Sequence, residues 1–451
     1  MDNNCYGLIL AAGLGTRMKS DLPKVLHKIC GLSLLENVIL NFKSSSVSEI
    51  AIITGYKQEL ITKKLGNEFK YYTQEKQLGT AHAVMCAREF LAGKKGLIVI
   101  ACGDAPLQDE SVIDGLIKHY QENQLDLCVL TAKLQHPRSY GRIIRSGDEF
   151  TGIREAKECS KEELLISEVN SGTYVMDIEK LYSILDEFSC NNGGGEYYLT
   201  DAVELFRHHA YKVGAFMSED ESIIKAANDR YELYECEELL RKKINKEHML
   251  NGVRLIDPSS TYIDRGVTIG SDTTIYPNTI LQGSSNIGRS CEIISSRIVD
   301  STIKDNTKID TSTIEQSTVG NNVVIGPYAH LRPNSVLHDK VKIGNFVEVK
   351  NATMQTGSKS SHLTYVGDTD IGKNVNIGCG VVFVNYDGKN KFRSVVEDEA
   401  FIGCNANIIA PLTIGKNAVI AAGSTVVSDV GADALLISRC RETVKENYKK
   451  K

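Results

Sequence analysis

Hydrophobic positions follow two different rules along this chain, with the change near residue 250. In the first half, short apolar runs alternate with amphipathic segments. Leu8-Ile9-Leu10-Ala11-Ala12, Leu97-Ile98-Val99-Ile100-Ala101 and Leu125-Asp126-Leu127-Cys128-Val129-Leu130 are runs of strand length. Between the last two, Val112, Ile113, Leu116, Ile117 and Tyr120 have the spacing of one helix face, predicting a helix over Glu110 to Glu122. Such alternation predicts an α/β domain with a mostly parallel sheet flanked by helices. Ligands of such sheets sit at the carboxyl ends of the strands. Residues 226–250 read as a charged connecting helix, with Tyr234, Leu240 and Ile244 as its apolar contacts.

From residue 251 the period changes. Ile263, Ile269, Ile275, Leu281, Ile287, Ile293 and Val299 recur every six residues. The ladder resumes at Ile325, Leu331, Leu337, Ile343 and Val349, and again at Ile402, Ile408, Ile414, Ile420 and Val426. A period of six fits neither a helix face nor strand alternation, and it predicts hexapeptide repeats stacked as a parallel β-helix. Each aliphatic side chain would point into a triangular prism, three repeats to a coil. The predicted organisation is 1–225 α/β domain, 226–250 linker helix and 251–451 β-helix.

Composition narrows the function classes. A chain of 451 residues is long enough for two or three domains, and 42% hydrophobic with 24% charged residues suits a soluble globular protein. A net charge of −5 argues against nucleic acid as a partner, and the Lys449-Lys450-Lys451 end reads as a solvated tail. No apolar stretch reaches about 18 residues, so no membrane insertion is expected, and no secretory leader is visible. The 12 cysteines are scattered without a CxxC pair, which suits a reducing cytoplasm, with most of them as small buried hydrophobes.

Candidate chemistry begins where the first apolar run breaks into a loop with Gly13, Gly15 and Thr16, followed by Arg17 and, in Leu22-Pro23-Lys24, a second cation. Glycines let backbone N–H groups approach an anion, and a helix N-terminus after the loop would add favourable partial charge. The design suits a nucleoside triphosphate. It is neither the Walker A pattern nor GxGxxG. Gln74-Glu75-Lys76-Gln77-Leu78-Gly79-Thr80-Ala81 follows a strand candidate; amide side chains there suit a pyrimidine edge, and Gly79 would admit the base closely. Gly103-Asp104 places a carboxylate at a strand end, a candidate Mg²⁺ ligand. In the β-helix, Ser361-His362-Leu363-Thr364-Tyr365-Val366-Gly367-Asp368 departs from the six-residue regularity, and His362 is a candidate general base.

The string AAGxGTRM with LPK, together with QxxQLGTA, resembles sugar-nucleotide pyrophosphorylases that use UTP. Adding Leu331-Arg332-Pro333, Asn345-Phe346-Val347-Glu348-Val349-Lys350, the His362 string, Asn385-Tyr386-Asp387-Gly388-Lys389-Asn390-Lys391 and Ile437-Ser438-Arg439 extends the match over nearly the whole chain. The chain closely resembles the bacterial bifunctional glucosamine-1-phosphate acetyltransferase / N-acetylglucosamine-1-phosphate uridyltransferase family. That resemblance implies a nucleotidyltransferase domain followed by a left-handed β-helix, a cytoplasmic homotrimer, and two reactions. Acetyl-CoA acetylates glucosamine 1-phosphate, and UTP then uridylates the product to UDP-N-acetylglucosamine, a cell-envelope precursor. Residue by residue it assigns Leu10, Ala11, Gly13, Lys24, Gln74, Gln77, Gly79 and Thr80 to the nucleotide, Arg17 and Lys24 to catalysis, and Gly141, Glu155 and Asn170 to the sugar. Asp104 and Asn228 would hold Mg²⁺. His362 would be the base, with Glu348 orienting it. Arg332, Lys350, Tyr365 and Asn376 would bind the sugar phosphate, and Cys379, Asn385, Tyr386, Lys391, Cys404, Ala422 and Arg439 the acetyl-CoA. The chain departs from the family at Cys404 (usually Ser), Cys379 (usually Ala), Ala226-Ala227 (usually Gly-Val) and Gly194 (usually Gln). Two rival readings are a monofunctional nucleotidyltransferase with a purely structural β-helix and a β-helix scaffold with a nucleotide-sensing head. The His362 and Asn385-Tyr386 strings count against the first, and Arg17, Lys24 and Asp104 together against the second.

Overall fold

The computed structural model describes residues 4–190 and 195–450. The chain divides into two compact units, Met1–Leu240 and Arg241–Lys451. The division falls inside the helix Arg230–Leu250, where Leu240 and Ile244 are buried but Tyr234 is exposed.

The first unit is built on strands β1 (Cys5–Leu10), β2 (Glu49–Thr54), β3 (Lys70–Thr73), β4 (Leu97–Cys102), β5 (Leu127–Lys133), β6 (Arg142–Ser146), β7 (Glu149–Arg154), β8 (Glu168–Asp177) and β9 (Val213–Ser218). Their order is β9-β5-β8-β4-β1-β2-β3, with the β6–β7 hairpin attached to β8. Strands β1 to β4 pair in parallel, and β9 is parallel to β5. By contrast, β8 is antiparallel to both β4 and β5, so the sheet is mixed at its centre. The chain reaches β8 from the β6–β7 hairpin, without the crossover helix that parallel pairing needs. Successive residues of β1 and β4 alternate between two cores: Ile9, Val99 and Ala101 pack on one face, and Leu8, Ile98 and Ile100 on the other. Burial on both faces explains why these strands read as continuous apolar runs. Truncating any one of the larger residues to Ala should cost about 2–5 kcal/mol.

The sheet register brings Leu10 level with Cys102. The Gly103 N–H donates to the Leu10 carbonyl at 2.9 Å, so the glycine loop and Asp104 leave the sheet side by side. The helix expected behind that loop is not there. Thr16–Met18 forms one 3₁₀ turn flanked by left-handed Gly15 and Lys19, and Pro23 follows. The first α-helix, α1, is Leu34–Ser44, started by a Ser33–Glu36 capping box. No α-helix terminus therefore stands directly behind the loop.

The second unit is three parallel sheets of 11, 10 and 9 strands. Leu255, Ile275, Ile293, Ile309, Ile325 and Ile343 stack in register in the first sheet, and Ile263, Leu281, Ile298, Ile314, Leu331 and Val349 in the second. One residue of the expected ladder moves: Ile298 is fully buried and Val299 is not. The reason is a shorter coil. Ile293 pairs with Ile309, 16 residues on, whereas Ile275 pairs with Ile293, 18 on. The ladder accordingly never stops between Val299 and Ile325; it continues at Ile303, Ile309, Ile314 and Val319, all buried. The tighter corners are turned by residues of positive φ such as Ser295, Asp300, Thr311 and Gln316. The His362 string likewise keeps its place in the coil, because Ser360, Val366 and Ile371 point inward. What broke the pattern was a serine at an aliphatic position. The coil from Ile377 to Ile402 takes 25 residues because a loop around the Tyr386–Lys391 bridge protrudes.

Among the described residues no helix is long and apolar enough to cross a membrane.

Candidate active sites

In the first unit, Leu10, Ala11, Gly13, Lys24, Gln74, Gln77, Gly79, Thr80, Asp104 and Glu155 line one cavity of about 450 Å³. Lys24 is a largely buried part of its lining. Its ammonium pairs with the Asp104 carboxylate and also donates to Asn228 Oδ1 at 3.2 Å. Burial opposes the charge of Lys24, and Arg17 repels it, but the Asp104 carboxylate outweighs both and raises the pKa above its ordinary value. Asp104 and Asn228 thus turn two oxygens toward one point, the donor type that Mg²⁺ requires.

The two glutamines are committed within the loop. Gln74 donates to the Gly79 carbonyl at 2.9 Å and contacts His82 Nδ1 at 3.0 Å, while Gln77 donates to the Gln74 carbonyl at 3.2 Å. Gly79 has φ +113°, and a Cβ there would lie 2.3 Å from the Tyr197 carbonyl oxygen. Only glycine fits. A Cβ on Gly13 would meet nothing within 4 Å, so the protein itself does not require a glycine there. Thr80 accepts from the Leu199 N–H at 2.9 Å. Glu155 accepts from the Thr200 hydroxyl at 3.2 Å, and burial raises its pKa.

Four expected residues are not on the wall of this cavity. Arg17 is exposed on its 3₁₀ turn. Gly141 and Asn170 meet each other, with the Asn170 N–H on the Gly141 carbonyl at 2.9 Å, and the Asn170 amide is held by Tyr174 and Gly172. Asn228 reaches Lys24 from a neighbouring cavity of about 390 Å³ shared with Tyr140, Lys225 and Glu232. Cys102, Glu196 and Tyr198 line the first cavity although the sequence suggested no role for them. Cys102 directly precedes Gly103-Asp104, which was the available signal. Burial pushes its thiol pKa up to about 12.

In the second unit some of the candidate residues form a strip. Asn345 pairs in register with His362. The Gly380 N–H meets the Leu363 carbonyl at 3.1 Å, Asn405 meets Cys379 at 2.7 Å, and Gly423 meets Cys404 at 2.8 Å. Asn345, His362, Cys379, Cys404 and Ala422 therefore occupy one corner of successive coils, about 4.8 Å apart. The Arg439 guanidinium donates to the Ala422 carbonyl at 3.2 Å. His362, Cys404, Tyr386, Lys391 and Arg439 are exposed, and Cys379 is half-buried.

The partner of His362 is not the one expected. Its Nδ1 lies 2.6 Å from Asn345 Oδ1. Glu348 instead accepts from Arg332 at 2.9 Å. Register explains the difference: Glu348 stacks with His330 and Tyr365 on the next sheet, past the corner that holds His362. Lys350 is level with Gly367, and Asn376 is level with Lys359 and Phe401 on the first sheet. Asn385 donates to the buried Asp368 carboxylate, and Tyr386 to the Gly388 carbonyl at 2.7 Å. Asn345 and Asp368 were unassigned in the sequence, although each lies in a string that stood out there.

Residues 7–168 match the MobA-like NTP transferase domain, 258–354 the GMPPB C-terminal domain, and 393–428 the bacterial transferase hexapeptide (six repeats). The bifunctional protein GlmU of Clostridioides difficile (strain 630) is 48% identical over 451 residues, 99% of this chain and 98% of that protein. The chain belongs to the bifunctional GlmU family. The GlmU proteins of Clostridium beijerinckii and Caldanaerobacter subterraneus subsp. tengcongensis are 47% and 48% identical over 96% and 98% of this chain. At Ala226-Ala227, Ala227 is buried and its N–H donates to the Asp104 carbonyl at 3.1 Å. That bond ties the Asn228 segment to Asp104. Gly194 lies outside the described residues.

Proposed function

We propose that this GlmU-family chain acetylates glucosamine 1-phosphate with acetyl-CoA on its β-helix and transfers UMP from UTP to N-acetylglucosamine 1-phosphate in its N-terminal unit. The products are UDP-N-acetylglucosamine and pyrophosphate, used for cell-envelope precursors. The observation that carries this reading is the Lys24–Asp104–Asn228 cluster beneath the glycine loop together with a separate Asn345–His362 pair, in a chain of GlmU length.

In the uridylyl site, the Gly13 loop admits the triphosphate, and Gln74, Gln77, Gly79 and Thr80 shape the base pocket. Arg17 and Lys24 neutralise phosphate charge as the sugar phosphate oxygen attacks the α-phosphorus and pyrophosphate leaves. The attacking phosphate is already ionised and needs no general base, so positioning and electrostatics supply the catalysis. Gly141, Glu155 and Asn170 hold the sugar. Asp104 and Asn228 would hold Mg²⁺, which supplies further charge neutralisation when bound.

In the acetyl site, Asn345 Oδ1 accepts from His362 Nδ1–H, which leaves Nε2 free to take the proton. His362 Nε2 removes a proton from the sugar amine as the amine attacks the thioester. Arg332 and Lys350 carry the charges for the sugar phosphate, Glu348 fixes Arg332, and Tyr365 and Asn376 flank it. Cys379, Cys404, Ala422 and Arg439 line the strip for acetyl-CoA, with Asn385, Tyr386 and Lys391 on the protruding loop. A strip this exposed needs a cover, and we assign that cover to neighbouring β-helices of a homotrimer. The exposed stack of Tyr328 on Phe346, 5.4 Å between ring centroids, and exposed Leu363 beside the strip support that assignment. The free cysteines support a cytoplasmic location.

The test is mass spectrometry of purified protein with glucosamine 1-phosphate, acetyl-CoA, UTP and Mg²⁺. UDP-N-acetylglucosamine is expected. Accumulated N-acetylglucosamine 1-phosphate would reject the uridylyl half, and unreacted amine the acetyl half.

A further inference from the structure

Among the described residues, one group of three side chains of metal-ligating type stands apart from both candidate sites: Glu187, His208 and His209, with ligand atoms all within 4.8 Å of one another. We propose that these three residues form a binding site for a divalent transition-metal ion of the zinc class.

The backbone explains how adjacent histidines come to share a site. Neighbours on a continuing helix point about 100° apart. Here the helix Ala202–His208 ends at the first histidine. The His209 N–H closes on the Leu205 carbonyl at 3.1 Å, and Ala210 then takes a left-handed φ of 56°. The two rings meet edge to face, 5.5 Å apart. Glu187 arrives from the turn after the helix Ile178–Ile184, where its N–H is fixed on the Ile184 carbonyl at 2.9 Å. Both segments are held by main-chain bonds before any ion arrives.

The side chains are also oriented. His209 Nε2 lies 2.8 and 2.9 Å from the two Glu187 oxygens. Its ring stacks on Tyr211 at 5.7 Å between centroids and 20° between planes. Tyr211 in turn lies under the Lys180 ammonium, 4.9 Å from its ring centre. Imidazole nitrogens and one carboxylate suit Zn²⁺ and its neighbours and disfavour Mg²⁺, which takes oxygen ligands. Three protein ligands leave a coordination position open. It would face a cavity of about 450 Å³ lined by Glu187, His208, Asp201 and Glu204, whose carboxylates add negative potential for a cation.

The ordinary alternative is a surface His209–Glu187 pair, in which His208 has no part. Cobalt discriminates, because its visible spectrum reports ligand number and geometry. Untagged full-length chain is stripped of metal, its accessible thiols are alkylated so that Cys404 and Cys440 do not compete, and excess Mg²⁺ occupies the oxygen sites. Co²⁺ is then titrated and displaced with Zn²⁺. One high-affinity equivalent with a four- or five-coordinate spectrum is expected, weakened at least ~10-fold by either His208→Asn or His209→Gln. Thermal melting gives a second readout: Zn²⁺ should raise the Tm of the parent chain and not of the double variant. A His208→Asn chain that binds Co²⁺ as tightly as the parent, or equal binding by the parent and the double variant, would overturn the proposal.

Discussion

The two candidate sites hold their residues in opposite ways. In the first unit, loops from the ends of β1 and β4 and the Gln74–Thr80 turn close around a cavity, and Lys24 is bonded on two sides. In the β-helix, Asn345, His362, Cys379, Cys404 and Ala422 are strung along one corner, one per coil, with His362, Cys404 and Ala422 facing solvent. A mixed sheet gathers residues distant in sequence into an enclosed space within one chain. A solenoid orders them in a line, because each coil touches only its neighbours. The cysteines show the consequence: Cys102 is half-buried on the cavity wall, with its pKa pushed up to about 12, whereas Cys404 lies in the open.

The comparison is broken most directly by separating the activities. His362→Ala should lower acetyl transfer by about 10³-fold and leave uridylyl transfer intact. Asp104→Ala should do the reverse, as read by product-specific mass spectrometry. Loss of both activities from either variant would mean that the sites are not independent. A thiol-alkylating reagent should next inactivate acetyl transfer while sparing uridylyl transfer, with Cys404→Ser/Cys379→Ala resistant. Peptide mapping should find Cys404 modified and Cys102 untouched.

Stability measurements sharpen the contrast. Gly79→Ala should cost about 3 kcal/mol in urea unfolding of the first unit, since a Cβ would strike the Tyr197 carbonyl at positive φ. Gly13→Ala should unfold like the parent chain and raise the KM for UTP. In the β-helix, Ser360 is fully buried with its hydroxyl unpartnered. Ser360→Ala should therefore stabilise that unit by about 1 kcal/mol, measured by thermal melting. A further effect is on pH dependence. Burial, followed by the charges of Glu204, Glu158 and Glu155, raises the Asp201 pKa from 3.8 to about 6. A folded-state pKa above the unfolded one gives stability that is complete below pH 3.8 and lost as pH rises through about 6. Asp201→Asn should flatten the stability profile of the first unit across that window.

The β-helix was largely legible in the sequence because inward side chains repeat at a nearly fixed local interval. Where coils shorten, the local rule fails: Ile298 replaces Val299 because the step from Ile293, around the corner of positive φ at Ser295, spans five residues and not six. The motif residues around the first cavity were legible too, since Gly13, Lys24, Gln74 to Thr80 and Asp104 lie in short strings whose chemistry is local. Other features were decided by contacts across long sequence separations. The antiparallel placement of β8 depends on chain connectivity, and the helix behind the glycine loop is missing because the turn Thr16–Met18 ends at left-handed Lys19. Asn345, not Glu348, reaches His362 because stacking register, which spans 17 residues, sets which side chains share a corner. By itself the sequence determined the periodicities, the two-part organisation and the residue types available for chemistry. Only the tertiary structure decided which of those residues meet, because a hydrogen bond of 2.6 Å depends on how coils and strands align, and no local spacing encodes that alignment.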